Sequence, residues 1–521
     1  MIAHDHLVIV PVVLPLAAGA IMLVIDERRL AVKAAISIGA ALALVGVGLA
    51  LIRIATPLGA TVYRVGNWPA PFGIVLVLDR LSAVMVLLAA VLGVASLVFS
   101  LARWQRAGPR FHSLVQFLLM GVNGAFLTGD LFNLFVFFEV LLAASYGLAL
   151  HGSGALRVRA SLHYITMNLA ASLLFLIGAS LIYGATGTLN MADLAQRWRE
   201  SLIGDRTLFE VGGAILGIAF LVKAGMWPLC FWLPGAYSAA SAPAGALFAI
   251  LTKVGVYAVL RTGTLFLGVE VAASPSPGTP WLVAAGMATL AFGTLGVLAS
   301  QSLSRLASYS VLVSSGTLLA VIALGKPALT GAALYYLVVS TLALSAFFLL
   351  VELVERGRTP GADVLAVTAE AFGTEQQDDD EPTGIAIPAA TALLGLAFAS
   401  CAIMLAGLPP LAGFVGKFAM LHALLEPRPV PVTSWTMLAL LVGSGFATIV
   451  AMGRAGVRRF WATPDMRAPR VRMVELIPIV VLLALCVGLT VQAGPSLRYL
   501  EQAAQMLHAP AAYVHGVLSA R

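Results

Sequence analysis

Three of the five lysines in this 521-residue chain, Lys223, Lys253 and Lys417, lie inside long apolar runs, while the 26 arginines fall almost entirely in polar connections. The split has a chemical meaning. An arginine stays protonated in a protein, whereas a lysine withdrawn from water can give up its proton near neutral pH. A glutamate, Glu139, is embedded in the same way, at the end of Leu131-Phe-Asn-Leu-Phe-Val-Phe-Phe-Glu139. These are groups that can exchange protons. No nucleophile–base set, Gly-rich phosphate loop or metal-ligand spacing accompanies them, so neither an enzymatic centre, nor a cofactor, nor a metal is expected.

The elements that hold these groups are membrane spans. Hydrophobic residues make up 60% of the chain and charged residues 11%, against about 25% charged in a soluble domain. Apolar runs long enough to cross a bilayer recur about fourteen times, at approximately 7–25, 32–54, 76–101, 113–129, 131–150, 160–184, 210–233, 243–266, 281–300, 305–324, 329–354, 386–420, 435–453 and 473–492. None shows the alternating polarity of barrel strands, so the expected fold is an all-α polytopic membrane protein. The run from Leu7 to Ile25 ends in Asp26-Glu27-Arg28-Arg29 and reads as a first span, not a cleaved signal. The net charge of +7 reflects topology, not nucleic-acid binding, because no basic stretch is interleaved with aromatics. Connections after odd-numbered spans hold about seventeen Lys and Arg, against about eleven elsewhere, which puts them in the cytoplasm and both termini outside. Cys230, Cys401 and Cys486 lie in apolar runs and read as small buried hydrophobes. Lys33 and Lys326 are assigned to loops. Asp378, Asp379, Asp380 and Glu381 mark an acidic cytoplasmic connection over 355–383, and 495–521 is amphipathic enough to lie along a membrane surface.

Two spans share an interruption. Span 7 contains Ala224-Gly225-Met-Trp-Pro228-Leu, and span 12 contains Ala406-Gly407-Leu-Pro409-Pro410-Leu. Five steps separate them, so the second copy crosses in the opposite direction. Paired Gly/Pro interruptions of this kind mark inverted repeats, and their freed backbone groups survive at membrane depth only against protein or water. The chain divides accordingly into spans 1–3 (1–112), a first repeat of spans 4–8 (113–270), a second of spans 9–13 (271–455), and span 14 with the C-terminal segment (456–521). Lys223 precedes its break and Lys417 follows its own, so both fall on the outer side. At about 1.5 Å per residue Glu139 sits roughly 12 Å deep, close to the level of the lysines. A Glu139–Lys223 ion pair that only fixes packing explains two of these four charges. A proton relay uses all of them. Asp79 with Arg80 reads as an interfacial pair, Asp130 as a span end, Glu352 as the cytoplasmic end of span 11, and His163 as a core histidine or a lesser relay member.

These motifs carry a resemblance. Glu139 in its Phe-Phe-Glu setting, Lys223-Ala-Gly-Met-Trp-Pro-Leu-Cys-Phe-Trp-Leu-Pro234, Leu251-Thr-Lys253-Val-Gly-Val-Tyr257 and Leu408-Pro-Pro-Leu-Ala-Gly-Phe-Val-Gly-Lys417 resemble the antiporter-like subunits of Mrp-type antiporters, respiratory complex I and membrane-bound hydrogenases. Within that group, Asp130-Leu-Phe-Asn133 and Gly235-Ala-Tyr237-Ser are similar to the D subunits of Mrp antiporters. The resemblance implies a fourteen-helix subunit in a bacterial inner membrane, partnered by the antiporter's A subunit and its small subunits. It implies proton transfer through Glu139, Lys223, Lys253 and Lys417, coupled to Na⁺ or K⁺ efflux. The alternative it leaves is a pumping subunit of a respiratory NADH-quinone oxidoreductase or a membrane-bound hydrogenase. A structural scaffold with no transport of its own is the third reading. Departures are Tyr237 where redox relatives carry His, and Thr341 and Ser345 where many relatives carry His or Asp followed by Lys.

Overall fold

The computed structural model describes residues 6–56, 60–200, 202–266, 278–356, 389–426, 429–460 and 471–519. Nineteen α-helices account for most of these residues. Twelve are long and apolar enough to cross a membrane, and the shorter Val10–Val24 and Phe111–Leu127 bring the crossings to the expected fourteen. The acidic run Asp378–Glu381 lies outside the described residues.

In chain order the helices are α1 (Val10–Val24), α2 (Leu30–Ile54), α3 (Arg80–Ser100), α4 (Phe111–Leu127), α5 (Leu131–Leu150), α6 (Ala155–Thr186), α7 (Met191–Arg199), α8 (Arg206–Ala224), α9 (Trp232–Ala239) and α10 (Ala242–Leu265). There follow α11 (Thr279–Ala299), α12 (Leu303–Ala323), α13 (Pro327–Glu355), α14 (Ala389–Ala406), α15 (Ala412–Leu425), α16 (Val432–Phe460), α17 (Met473–Val491), α18 (Ala493–His508) and α19 (Ala511–Leu518). Spans 7 and 12 are broken, into α8–α9 and α14–α15. The most enclosed helices are α10, α12 and α13. Helix α13 packs against α10 on one side and α15 on the other, and so joins the regions of Lys253 and Lys417.

The connections after spans 2, 4 and 6 and both described ends gather on one face. There the hairpin of β1 (Thr61–Arg64) and β2 (Val75–Leu78) pairs antiparallel, with Thr61 opposite Leu78. Leu76 bridges to Thr128, and Asp130 to Asn190. On the opposite face the backbone N–H of Arg110 meets Glu27, Arg472 reaches the Ala102 carbonyl, and Arg157 reaches Ala239. Connections after odd-numbered and even-numbered spans therefore meet on opposite faces of the bundle.

Several expectations change. Residues 76–78 read in sequence as the start of span 3, yet they belong to β2. Asp79 then caps α3, accepting from the Ser82 N–H at 2.8 Å while the Ser82 hydroxyl accepts from the Asp79 N–H at 2.9 Å. Asp79 does not pair with Arg80. Its carboxylate meets Arg261 at 2.6 Å, and Arg80 turns to Gln502 and the Thr56 carbonyl. Lys33 belongs to the first turn of α2, not to a loop. It is 1% exposed and paired with Glu27 at 2.6 Å. The amphipathic C-terminal segment uses its apolar side on protein: Leu500, Ala503, Ala504 and Leu507 of α18 are buried, and α18 lies along α13. The three cysteines are buried and free, as their apolar settings suggest.

Candidate functional site

Both breaks are built alike. Helix α8 ends at Gly225 (φ +73°), whose N–H reaches Leu221 and Val222 carbonyls while Met226 N–H reaches Leu221. Helix α14 ends at Gly407 (φ +76°), with the same return of N–H groups from Gly407 and Leu408 to Ile403. Positive φ at the residue after a helix is a glycine conformation, so the two Ala-Gly steps terminate the half-helices. The prolines that follow, Pro228, Pro409 and Pro410, prevent immediate resumption. Trp227–Pro228 and Pro409–Pro410 are both cis.

A second helix presses on each break through a glycine. A Cβ on Gly255 of α10 would stand 2.5 Å from the Ala224 nitrogen, and one on Gly445 of α16 would stand 2.7 Å from the Ala406 oxygen. These contacts align the two halves. Lys253 precedes Gly255 by two residues, and the corresponding position before Gly445 is Gly443.

The lysines sit differently against this shared frame. Lys223, in the last turn of α8 and 6% exposed, has no hydrogen-bond partner. Its ammonium stands 5.0 Å from the centre of the Phe138 ring, a cation–π position. Glu139, next to Phe138, is the carboxylate within electrostatic reach of Lys223. No described ion pair joins the two, and Glu139 instead accepts a hydrogen bond from Ser172 of α6. Lys253 is fully buried, and its one hydrogen bond is a long one, 3.4 Å, to its neighbour Thr252. Lys417 folds back from α15 onto the end of α14, donating to Ala406 O at 2.9 Å and Leu405 O at 3.4 Å. It caps the negative pole of that half-helix.

Helix α13, which packs against both α10 and α15, carries several buried hydroxyls. Gly416, beside Lys417, packs on Tyr335 and Tyr336 of α13. Farther along α13, Ser340 meets Ser314 at 3.0 Å, Thr341 donates to Leu337 O at 2.6 Å, and Ser345 is buried with no partner, as is Ser315 of α12. Buried polar groups without a protein partner call for water; Ser345 and Ser315 are such groups, whereas Thr341 is satisfied by its own helix.

Tyr237 is buried at a cavity of its own. Its hydroxyl is buried without a partner, its ring packs on Trp232, Phe248 and Phe348, and it borders a cavity of about 290 Å³ on the odd-connection face. The rim is ionic. Glu352 accepts from Trp104 Nε1 at 2.6 Å and pairs with Arg356 at 2.7 Å, Arg356 pairs with buried Glu475 at 2.8 Å, and Glu355 accepts from Ser304. The end-of-span position of Glu352 was legible in sequence; its partner Trp104, from the connection before α4, was not. His163 is not in the site. It lies on the exposed side of α6, its Nδ1 near the Arg159 carbonyl, while the next residue, Tyr164, is the buried one and meets Ser145 at 2.6 Å.

Known proteins share this fold. The model of the family described as "NADH:quinone oxidoreductase/Mrp antiporter, TM" matches residues 128–447. The chain is 55% identical to a protein of Rhizobium meliloti (strain 1021) named as a probable K(+)/H(+) antiporter D subunit, over 99% of this chain and 98% of that protein. It is 36% identical to the Na(+)/H(+) antiporter D subunit of Alkalihalophilus pseudofirmus, over 99% of each. Among solved structures, a chain of the Mrp complex from Dietzia sp. DQ12-45-1b superposes with a TM-score of 0.85 at 25% identity, covering 99% of this chain and 100% of that one. A chain of respiratory complex I from Thermus thermophilus shares the fold, with a TM-score of 0.76 at 22% identity over 96% of this chain and 99% of that one. With antiporter D subunits matching it end to end and the family's region spanning both broken helices, the chain belongs to the NADH:quinone oxidoreductase/Mrp antiporter transmembrane family.

Proposed function

We propose that this chain is the proton-translocating subunit of a multisubunit monovalent cation/proton antiporter in a bacterial inner membrane, with both termini on the outer side. The observation that carries the reading is Lys223: a buried ammonium with no hydrogen-bond partner, next to one carboxylate, in a row that continues to Lys253 and Lys417. A structural ion pair would close directly. This one is left open, with Glu139 held by Ser172 and Lys223 over Phe138. Such a lysine can take up and release a proton as Glu139 approaches or withdraws. Protons pass along the row Lys223, Lys253, Lys417 across the hydroxyls of α12 and α13, and the cavity beside Tyr237 gives access from the cytoplasmic face. Residues 113–270 and 271–455 act as the two inverted halves, with 1–112 and 456–521 framing them.

The partners are the other subunits of the complex, and the cation is Na⁺ or K⁺. K⁺ is the first to test, since the relative at 55% identity is named for it. A redox-driven pumping subunit is the second reading, and it rests on shared fold. The deciding experiment uses everted vesicles carrying the whole complex and measures cation-driven proton movement with Na⁺ and K⁺ separately. Lys223→Arg keeps the charge but cannot release its proton, so it is expected to be as inactive as Lys223→Ala. Normal antiport by Lys223→Arg rejects the relay role. Absence of antiport with either cation in the wild-type complex favours the redox reading.

A further inference from the structure

Lys253 faces the two sides of the membrane through unlike surroundings. Toward the odd-connection face lies the Tyr237 cavity. Toward the other face, helix α10 carries Tyr257 and Arg261, one and two turns beyond Lys253 on the same side of the helix. Arg261 is an exception to the placement of arginines in this chain: it is 4% exposed and lies within a span. Its guanidinium meets Asp79 at 2.6 Å and the Tyr257 hydroxyl at 3.0 and 3.2 Å. The Tyr257 and Tyr513 rings stand 5.2 and 5.5 Å from its centre. The Tyr257 hydroxyl is itself committed, donating to Phe126 O at 2.7 Å. Beyond the pair a cavity of about 20 Å³, roughly one water in size, is roofed by Leu507, Pro510 and Tyr513 of the C-terminal segment.

The column beyond Lys253 thus ends in a group that cannot release a proton, bonded to a hydroxyl that has no free hydrogen to pass on. We propose that Arg261, latched by Asp79, Tyr257 and Tyr513, is the outer stop of the proton row. While the latch is shut, Lys253 communicates with the cytoplasmic side alone, and protons cross to the outer side only when it opens. This rests on the relay reading above. Arg261 is a positioning residue: it acts on access to Lys253 and touches no transported ion.

The test is the passive proton leak of the whole complex in sealed vesicles. An acid pulse is followed with an internal pH dye in choline buffer, without Na⁺ or K⁺, so that antiport is silent. Arg261→Gln and Asp79→Asn each strand one partner of a buried ion pair, which opens the latch, and the leak is expected to rise at least about tenfold. Arg261→Lys separates this role from packing. Lysine keeps the charge beside Asp79, so a purely structural role predicts a tight complex, whereas a stop that depends on arginine's fixed proton predicts a leak. Adding Lys253→Ala to Arg261→Lys is expected to abolish that leak. If Arg261→Gln fails to assemble, Arg261→Lys and the roof variant Tyr513→Leu carry the test. Assembled variants with wild-type leak overturn the proposal, as does a leak that survives Lys253→Ala. Failure of the relay reading is distinct: Lys253→Ala alone would then retain full antiport.

Discussion

The two broken helices share a frame and differ in what they do with their lysine. Each half-helix ends in Ala-Gly with the glycine at positive φ, and each is pressed by a glycine of the next span. At the first break the ammonium of Lys223 has no hydrogen-bond partner and rests over an aromatic ring. At the second the ammonium of Lys417 is bonded to two carbonyls of the helix that has just ended. Repeat symmetry supplies the backbone and leaves the chemistry free to diverge. In the proposed relay the first lysine is the one that changes charge beside Glu139. The second is a cap that must be withdrawn before it can do anything else.

The contrast can be broken most severely with methionine at each position. Lys223→Met is expected to reduce antiport roughly a hundredfold or more, in the range lost with an essential proton-transfer group, while the melting temperature of the purified complex stays level or rises because a buried, unpartnered charge has gone. Lys417→Met is expected to lower the melting temperature, since it strands buried carbonyls at a cost of about 1–3 kcal/mol. Shifts of the same sign in thermal melts would erase the distinction between the two breaks.

The frame itself is tested next. Gly255→Ala forces a Cβ against the backbone of the first break and is expected to cost about 1–3 kcal/mol and impair assembly. Gly443→Ala, at the position matching Lys253 in the second half, meets open space and is expected to leave assembly and antiport at wild-type levels. Immunoblots of the membrane complex and vesicle antiport read both. A tolerated Gly255→Ala would show that the break does not depend on this close approach.

A smaller effect is expected in the interval between the halves. Ser345→Ala removes a buried hydroxyl with no protein partner, and antiport is expected to fall about two- to fivefold, the range of a single hydrogen bond of ~0.5–1 kcal/mol. Unchanged rates would take Ser345 out of the path between Lys253 and Lys417.

The smallest effect is a pH effect outside the spans. Burial pushes the Glu27 carboxyl up, but hydrogen bonds from Lys33 and from the Arg110 backbone outweigh it and hold the group below its ordinary 4.5. A depressed folded-state pKa stabilises above the unfolded value, and the contribution is lost as pH falls through the folded one. Wild type and Glu27→Gln are therefore expected to differ in thermal stability at pH 7 and to converge only as pH falls through the lowered folded-state value of Glu27. A difference that persists in acid would assign the contribution to shape and not to charge.

Much of the frame was legible in the sequence because its causes are local. An apolar run of bilayer length needs no partner to be recognised, and Gly-x-x-Pro inside one marks a break wherever it packs. The lysines were legible for the same reason. What escaped depends on contacts distant in the chain or made by backbone. Nothing near Asp79 announces that its partner is Arg261 and not the adjacent Arg80. A carbonyl that accepts from Lys417 has no residue type to betray it. Lys33 resembles a loop residue because the helix start at Leu30 carries no cap signal. His163 misses the site by a single position: in a helix the next residue faces about 100° away, and the inward place belongs to Tyr164.

The cap at the second break has an electrical side. A half-helix presents about half a negative charge at its C-terminal end, and in α14 that pole is covered by the ammonium of a side chain rooted in the next helix. Moving that ammonium would uncover the pole without any ion crossing the membrane, so the position of one side chain sets the field along α14.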